Sequence, residues 1–161
     1  MANPYRVIFV CMGNICRSPA AHIVLDSLIE AQGLDDQIIV DSAGTIGFHA
    51  GKGPDPRMSE TLKARGYTIH GEAQKCSVKH LAANDLVLAM DEENLFDLKQ
   101  LSQDPLLKGK IRLFTDFCEM TKARGVPDPY YGGQDGFETV ADMVEDGCSH
   151  ILDFIREELS K

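Results

Sequence analysis

Apolar positions along this chain follow two rhythms. Four short, dense runs read as buried strands: YRVIFVC (5–11), QIIVDSAG (37–44), DLVLAM (85–90) and IRLF (111–114). Between them lie segments with helical spacing and helical punctuation. Ser18 can cap the helix PAAHIVLDSLIEAQG, Pro19 fits its first turn and Gly33 ends it. Asp55, Pro56 and Gly66 bracket a second helix as cap, first residue and stop. DEENLFDLKQLS is helical after the third strand. The last helix opens near Phe137, because Phe137, Val140, Ala141, Val144, Cys148, Ile151, Leu152 and Ile155 recur at helical period. Before it, GVPDPYYGGQDG holds two prolines and four glycines, so it reads as an irregular loop.

Strand and helix in alternation predict an α/β fold, a parallel sheet with helices on both faces and right-handed crossovers. Periodicity does not supply the strand order. The 161 residues show no repeat, low-complexity stretch or linker, so one domain is expected over 1–161. The net charge of −9 gives no reason to expect a polyanionic partner, which argues against nucleic acid. A small anionic substrate remains open, because a local site can oppose the global field. No run approaches membrane-span length, and the N-terminus lacks the features of a secretory signal. Five cysteines, an odd number, argue against a disulfide scaffold and for a reducing cytoplasm; their spacing supports no zinc site. No cofactor is called for, and oligomeric state is open.

The loop VCMGNICRSP (10–19) joins the first strand to the first helix, where ligands collect in open α/β sheets. Unpaired N–H groups and the helix dipole favour an anion there. Gly13 and Asn14 are the residue types that most readily adopt positive φ, which turns N–H groups inward. This is no Walker loop: G-x-x-x-x-G-K-[ST] is absent, and GKG at 51–53 does not supply it. The loop instead carries a cysteine at its start and an arginine at its end. A thiol at a helix N-terminus beside a fixed cation favours the thiolate, and the Arg17 fork suits two phosphoryl oxygens at once. Cys11 is thus the candidate nucleophile, Arg17 the clamp, and Met12, Gly13, Asn14, Ile15, Cys16 and Ser18 the phosphate-binding loop. Cys118 and Arg124 repeat the spacing in CEMTKAR, but that stretch lacks a glycine and a capping serine, and its composition favours a helix.

In these residues the chain resembles the low-molecular-weight protein tyrosine phosphatases. DSAGT (41–45), PDPR (54–57), MDEEN (90–94) and DPYYG (128–132) follow in the order of that family's landmarks. The resemblance implies a four-stranded parallel sheet of order 2-1-3-4, no metal, and hydrolysis of phosphotyrosine in a tyrosine-phosphorylated protein through a cysteinyl-phosphate. Asp128, stiffened by Pro127 and Pro129, is by resemblance the general acid that protonates the departing phenolate. Ser18 can donate its hydroxyl to the thiolate. The resemblance further implies that Asn14, Ser42 and His70 form a hydrogen-bonded set supporting the loop, and that Asp91 orients the loop or Arg17. From its neighbours alone, His70 reads equally as a solvent-exposed histidine. Ile46, Phe48, Tyr130 and Tyr131 can wall a slot for a flat ring or simply pack; the family's usual large aromatic near 46–48 favours Phe48. Cys16 is implied as the partner of Cys11 in a reversible disulfide.

His22 stands where many members carry a glutamate, removing a negative charge a turn from Arg17, so an upward shift of the loop's electrostatics is expected. Three rivals remain. Arsenate reductases of this type need further cysteines near 76–98, where Cys76 alone is a poor relay. Protein-arginine phosphatases tend to carry threonine where Ile15 stands. A non-catalytic phosphate-binding regulator would be expected to lose the nucleophile or the acid, and both are present.

Overall fold

The computed structural model describes residues 3–161. Its four strands are β1 (Tyr5–Cys11), β2 (Ile38–Gly44), β3 (Leu86–Ala89) and β4 (Ile111–Leu113). All pair in parallel, in the order β2-β1-β3-β4, with Cys11 opposite Gly44 and Val10 opposite both Ala43 and Ala89. The helices are α1 (Arg17–Ala31), α2 (Pro56–Ala64), α3 (Val78–Ala83), α4 (Glu92–Lys99), α5 (Pro105–Lys108) and α6 (Gln134–Leu159).

Alternation within the strands explains the two layers. Val7, Phe9 and Cys11 point to one face with Leu86 and Leu88, where α1 and α6 supply Ile23, Leu25, Val144 and Cys148. Ile8, Val10, Val87 and Ala89 point to the other, where Leu81 of α3 and Leu98 of α4 cover them. Both faces of the central strands are therefore dry, which is why their sequences read as unbroken apolar runs. Because the strands are parallel, the C-terminal ends of β1, β2 and β3 lie side by side.

The punctuation holds for α2: the Asp55 side chain caps it, accepting from the N–H groups of Arg57 and Met58. For α1, Pro19 lies in the first turn and Gly33 follows the end at φ 68°, but the Ser18 cap fails: the helix opens one residue earlier, at Arg17, behind Cys16 and with no side-chain cap. The Ser18 hydroxyl is engaged elsewhere, so it does not act as the cap. The last helix opens at Gln134, before Phe137, and CEMTKAR is irregular rather than helical. Its Arg124 instead turns out to Glu92 at 2.8 Å. The short helices α3 and α5 have no counterpart in the sequence pattern. No helix among the described residues is long and apolar enough to cross a membrane.

Candidate active site

Cys11 ends β1 and lies 3% exposed at the floor of the following loop. Asn14 is in the left-handed region at φ 58°, which a short polar side chain tolerates better than a branched one. That turn brings the Asn14 N–H to 3.3 Å from Cys11 Sγ. The Asn14 amide donates to Ser18 Oγ at 2.7 Å, and Oδ1 accepts from the Gln74 N–H at 2.9 Å. Since Ser18 Oγ already accepts from Asn14, its own proton is free for Cys11 Sγ at 3.0 Å or the Ala43 carbonyl at 3.3 Å. The loop also lies tightly against β2: a Cβ at Gly44 would sit 2.7 Å from the Met12 carbonyl oxygen. Among the described residues, no protein acceptor takes the N–H groups of Gly13, Ile15, Cys16 or Arg17, and these border the N-terminus of α1.

Arg17 is 3% exposed and fully engaged on one side. Its Nη1 donates to Asp91 Oδ2 at 2.5 Å and to the Val126 carbonyl at 3.0 Å, while Nη2 lies 3.7 Å from Asp128 Oδ2. Burial works against its charge, but Cys11, Asp91 and Asp128 together outweigh it and raise the guanidinium above its ordinary pKa. Asp91 divides its carboxylate, one oxygen holding Arg17 and the other capping α4 through the Asn94 N–H at 2.8 Å. Burial, with Asp55, Cys11 and Asp128, pushes the Cys16 thiol well up. Burial likewise pushes Cys76 up to about 11, with Asp41 adding, and Cys118 up to about 12, with Asp146 adding. All five cysteines are free thiols.

Above Cys11 opens a cleft of about 250 Å³, walled by Ile46, Phe48, Tyr130 and Tyr131, with Ile15 and Arg17 below and Asp128 at the rim. Cys11 and Cys16 are the cysteines that line it; Cys76 lies in the core on the opposite face of the sheet. His49 also lines the cleft, its ring 4.9 Å from Phe48 and 6.1 Å from Tyr130. The sequence carries no signal for it, since only packing turns His49 inward. Arg57 was readable only as part of PDPR, yet it donates to the Tyr130 carbonyl at 2.9 Å and to Asp55 Oδ2 at 3.1 Å. Its guanidinium lies over the rings of Tyr130 and Phe137. The Asp55 N–H donates to the Ile15 carbonyl at 2.8 Å, so this cap joins the Cys11 loop to the Asp128 loop.

Asn14, Ser42 and His70 border one small cavity, but the expected hydrogen bonds among them are not made. Ser42 Oγ lies 3.3 Å from His22 Nδ1, and His70 Nε2 lies 3.4 Å from Asp26 Oδ2. His22 contacts both Ser42 and His70, its ring centroid 5.1 Å from that of His70. The support of Asn14 falls to the backbone N–H of Gln74, a residue whose side chain fixes the segment by binding Asp41, the Ser42 carbonyl and His80. A glutamine in a polar loop gives no sign of this role. His22 turns toward Ser42 and Asp26, the latter 3.2 Å from its Nε2.

Residues 6–161 match the family described as low molecular weight phosphotyrosine protein phosphatase. A low molecular weight protein-tyrosine-phosphatase of Streptomyces coelicolor is 41% identical over 158 residues, 96% of each chain. The structure of a protein tyrosine phosphatase from Entamoeba histolytica with Hepes in the active site superposes with a TM-score of 0.92 at 38% identity, covering 96% of this chain and 98% of that one. A Drosophila arginine phosphatase superposes at 0.85 with 30% identity, covering 92% and 96%.

Proposed function

The chain belongs to the low molecular weight phosphotyrosine protein phosphatase family, a family of cysteine-based hydrolases, and from that premise we propose that it hydrolyses phosphotyrosine in proteins with Cys11 as nucleophile. The observation that carries the assignment is the convergence of the Asn14 N–H and the Ser18 hydroxyl on the Cys11 sulfur, in a cleft that Cys11 lines together with Arg17 and Asp128.

The phosphate seats on the free N–H groups of the loop and on the Nε and Nη2 of Arg17, whose Nη1 is committed to Asp91 and Val126. The Cys11 thiolate attacks phosphorus in line, forming the S–P bond as the P–O bond to the phenol breaks. Asp128 delivers a proton to the departing oxygen. The resulting carboxylate then takes a proton from water, which attacks phosphorus and releases phosphate. The sulfur leaves as thiolate, stabilised by the Ser18 hydroxyl and Asn14 N–H at 3.0 and 3.3 Å.

Depth and wall chemistry support an aryl ester. Cys11 lies buried among apolar and aromatic walls, which suit the flat face of a phenol better than a small seryl phosphate. Ile15 offers a guanidinium leaving group no hydrogen bond, which weighs against phosphoarginine. A thiol relay of the arsenate reductase kind has no third cysteine on the cleft. Cys16, in the same loop, is the proposed partner for Cys11 under oxidant. Five free thiols fit a cytoplasmic setting.

Hydrolysis of p-nitrophenyl phosphate in EDTA, compared between wild type, Cys11→Ser and Asp128→Ala, tests the reading. Cys11→Ser is expected to abolish turnover, and Asp128→Ala to lower kcat by ~100-fold or more. An inactive wild type, or a Cys11→Ser protein that turns over normally, overturns it. Faster turnover of a phosphoarginine peptide than of a phosphotyrosine peptide would reassign the substrate.

A further inference from the structure

Outside the cleft, one cluster among the described residues brings together three side chains of metal-ligand type. His22 and Asp26 stand four residues apart on α1 and so share a helix face. His70 comes from the irregular segment after α2. The ligand atoms of the three lie within 4.8 Å of one another. Asp26 Oδ2 is 3.2 Å from His22 Nε2 and 3.4 Å from His70 Nε2. Bonds of ~2.0–2.1 Å at tetrahedral angles put neighbouring ligand atoms about 3.3 Å apart, so both measured edges have the span of a zinc site. We propose that His22, Asp26 and His70 form a binding site for a borderline divalent cation, with Zn2+ the best match.

The supporting shell favours this use. His22 Nδ1 faces Ser42 Oγ at 3.3 Å, which leaves Nε2 as the ligating nitrogen and orients the ring, as outer-shell partners do at metal centres. The edge of one imidazole against the face of the other limits rotation of both. An open cleft of about 350 Å³, bordered by Asp26, Glu30, Asp35 and His70, gives a path from solvent and room for water in the remaining coordination position. Its carboxylates attract a cation, while two imidazoles select against Ca2+ and Mg2+, which take oxygen ligands. Cysteine spacing left no place for zinc. This cluster escapes such a reading because its third ligand arrives from a remote segment. A bound ion would tie α1 to the segment carrying Gln74, the residue that holds Asn14. The site is distinct from the catalytic cleft and does not depend on the assigned activity.

The test is calorimetric titration of EDTA-stripped full-length Cys11→Ser protein with Zn2+, the substitution removing the thiolate as a rival ligand. One zinc per chain and a rise in Tm at saturation are expected. His70→Ala and Asp26→Asn, each in the same background, should weaken binding at least ~10-fold. In the unsubstituted cluster, zinc should shift the Nε2 resonances of His22 and His70, a readout that stands even if a variant folds poorly. Ca2+ and Mg2+ should do nothing. No heat at ~100 µM zinc, unmoved histidine resonances, or full affinity in both variants would overturn the proposal and leave a hydrogen-bonded cluster only.

Discussion

The loop at Cys11 and the loop at Asp128 face each other across one cleft and are built in opposite ways. In the first, Asn14 and Ser18 are buried, and their side chains interlock with Gln74, Ala43 and the cysteine sulfur. In the second, Asp128 is 36% exposed and Tyr131 92%, and local bonds such as the Tyr130 N–H to Asp128 shape the chain. The contrast suits the tasks proposed for them. Donors aimed at a phosphoryl group act best when no reorganisation is needed at the moment of reaction. A proton donor must admit the substrate, then a water, then release phosphate. Rigidity is thus concentrated under the proposed phosphoryl site, and the Asp128 loop is tethered at two backbone points, by Arg17 at the Val126 carbonyl and by Arg57, which also holds Asp55, at the Tyr130 carbonyl.

The largest break in this comparison should come from Arg17→Lys. The charge stays, but a point ammonium cannot serve Asp91, Val126 and two phosphoryl oxygens together. Steady-state kinetics on p-nitrophenyl phosphate should show kcat down ~100–1,000-fold, the cost of removing preorganised donors. Next comes Asn14→Ala, which keeps the left-handed backbone without the side chain that makes it tolerable, and strips partners from Gln74 and Ser18. Denaturant unfolding should give a loss of about 2–3 kcal/mol.

Arg57→Ala probes the other loop. The tether at Tyr130 is lost while the one at Val126 and the backbone bond from Asp55 to Ile15 remain, so kcat should fall about threefold to tenfold, a fraction of the ~100-fold a general acid supplies, with p-nitrophenyl phosphate KM nearly constant. An equal fall in Asp128→Ala and in Asp128→Ala/Arg57→Ala would sharpen the assignment, because Arg57 then acts through the acid alone. The smallest effect concerns the shared cap. Burial acts to raise the Asp55 pKa, but the side chain and N–H of Arg57 prevail and hold it below the usual carboxylate range. Its stabilisation is therefore complete above the unfolded value of ~3.9 and is lost as pH falls through the lower folded value. Asp55→Asn should be less stable than wild type at pH 7, with the gap in Tm closing in strong acid.

Legibility in the sequence tracks the range of the interaction responsible. The strands stand out because β1 and β3 are buried on both faces, which requires dense apolar runs. Asp55 reads correctly as a cap because its partners are two and three residues away. Ser18 reads as a cap for the same local reason, and wrongly, because Cys11 and Asn14 claim its hydroxyl. The 118–124 stretch has helix-forming composition but runs along the flank of α6, where Asp146 accepts from the N–H groups of Glu119 and Met120 in place of helical bonds.

From the sequence alone come the alternation of strand and helix and the candidate anion-binding loop with Cys11 and Arg17, which rest on local preferences and on residues close along the chain. The candidate acid Asp128 comes from its stiff loop together with the family resemblance. The resemblance anticipates Asp91 beside Arg17, and tertiary structure alone decides the other supports: Asn14 with Gln74, Arg57 with Tyr130, and His22 with Asp26 and His70. The physical reason is the parallel sheet. It brings the ends of β1, β2 and β3 side by side, so residues as far apart as 17 and 91 meet at one cleft through contacts that no spacing along the chain encodes.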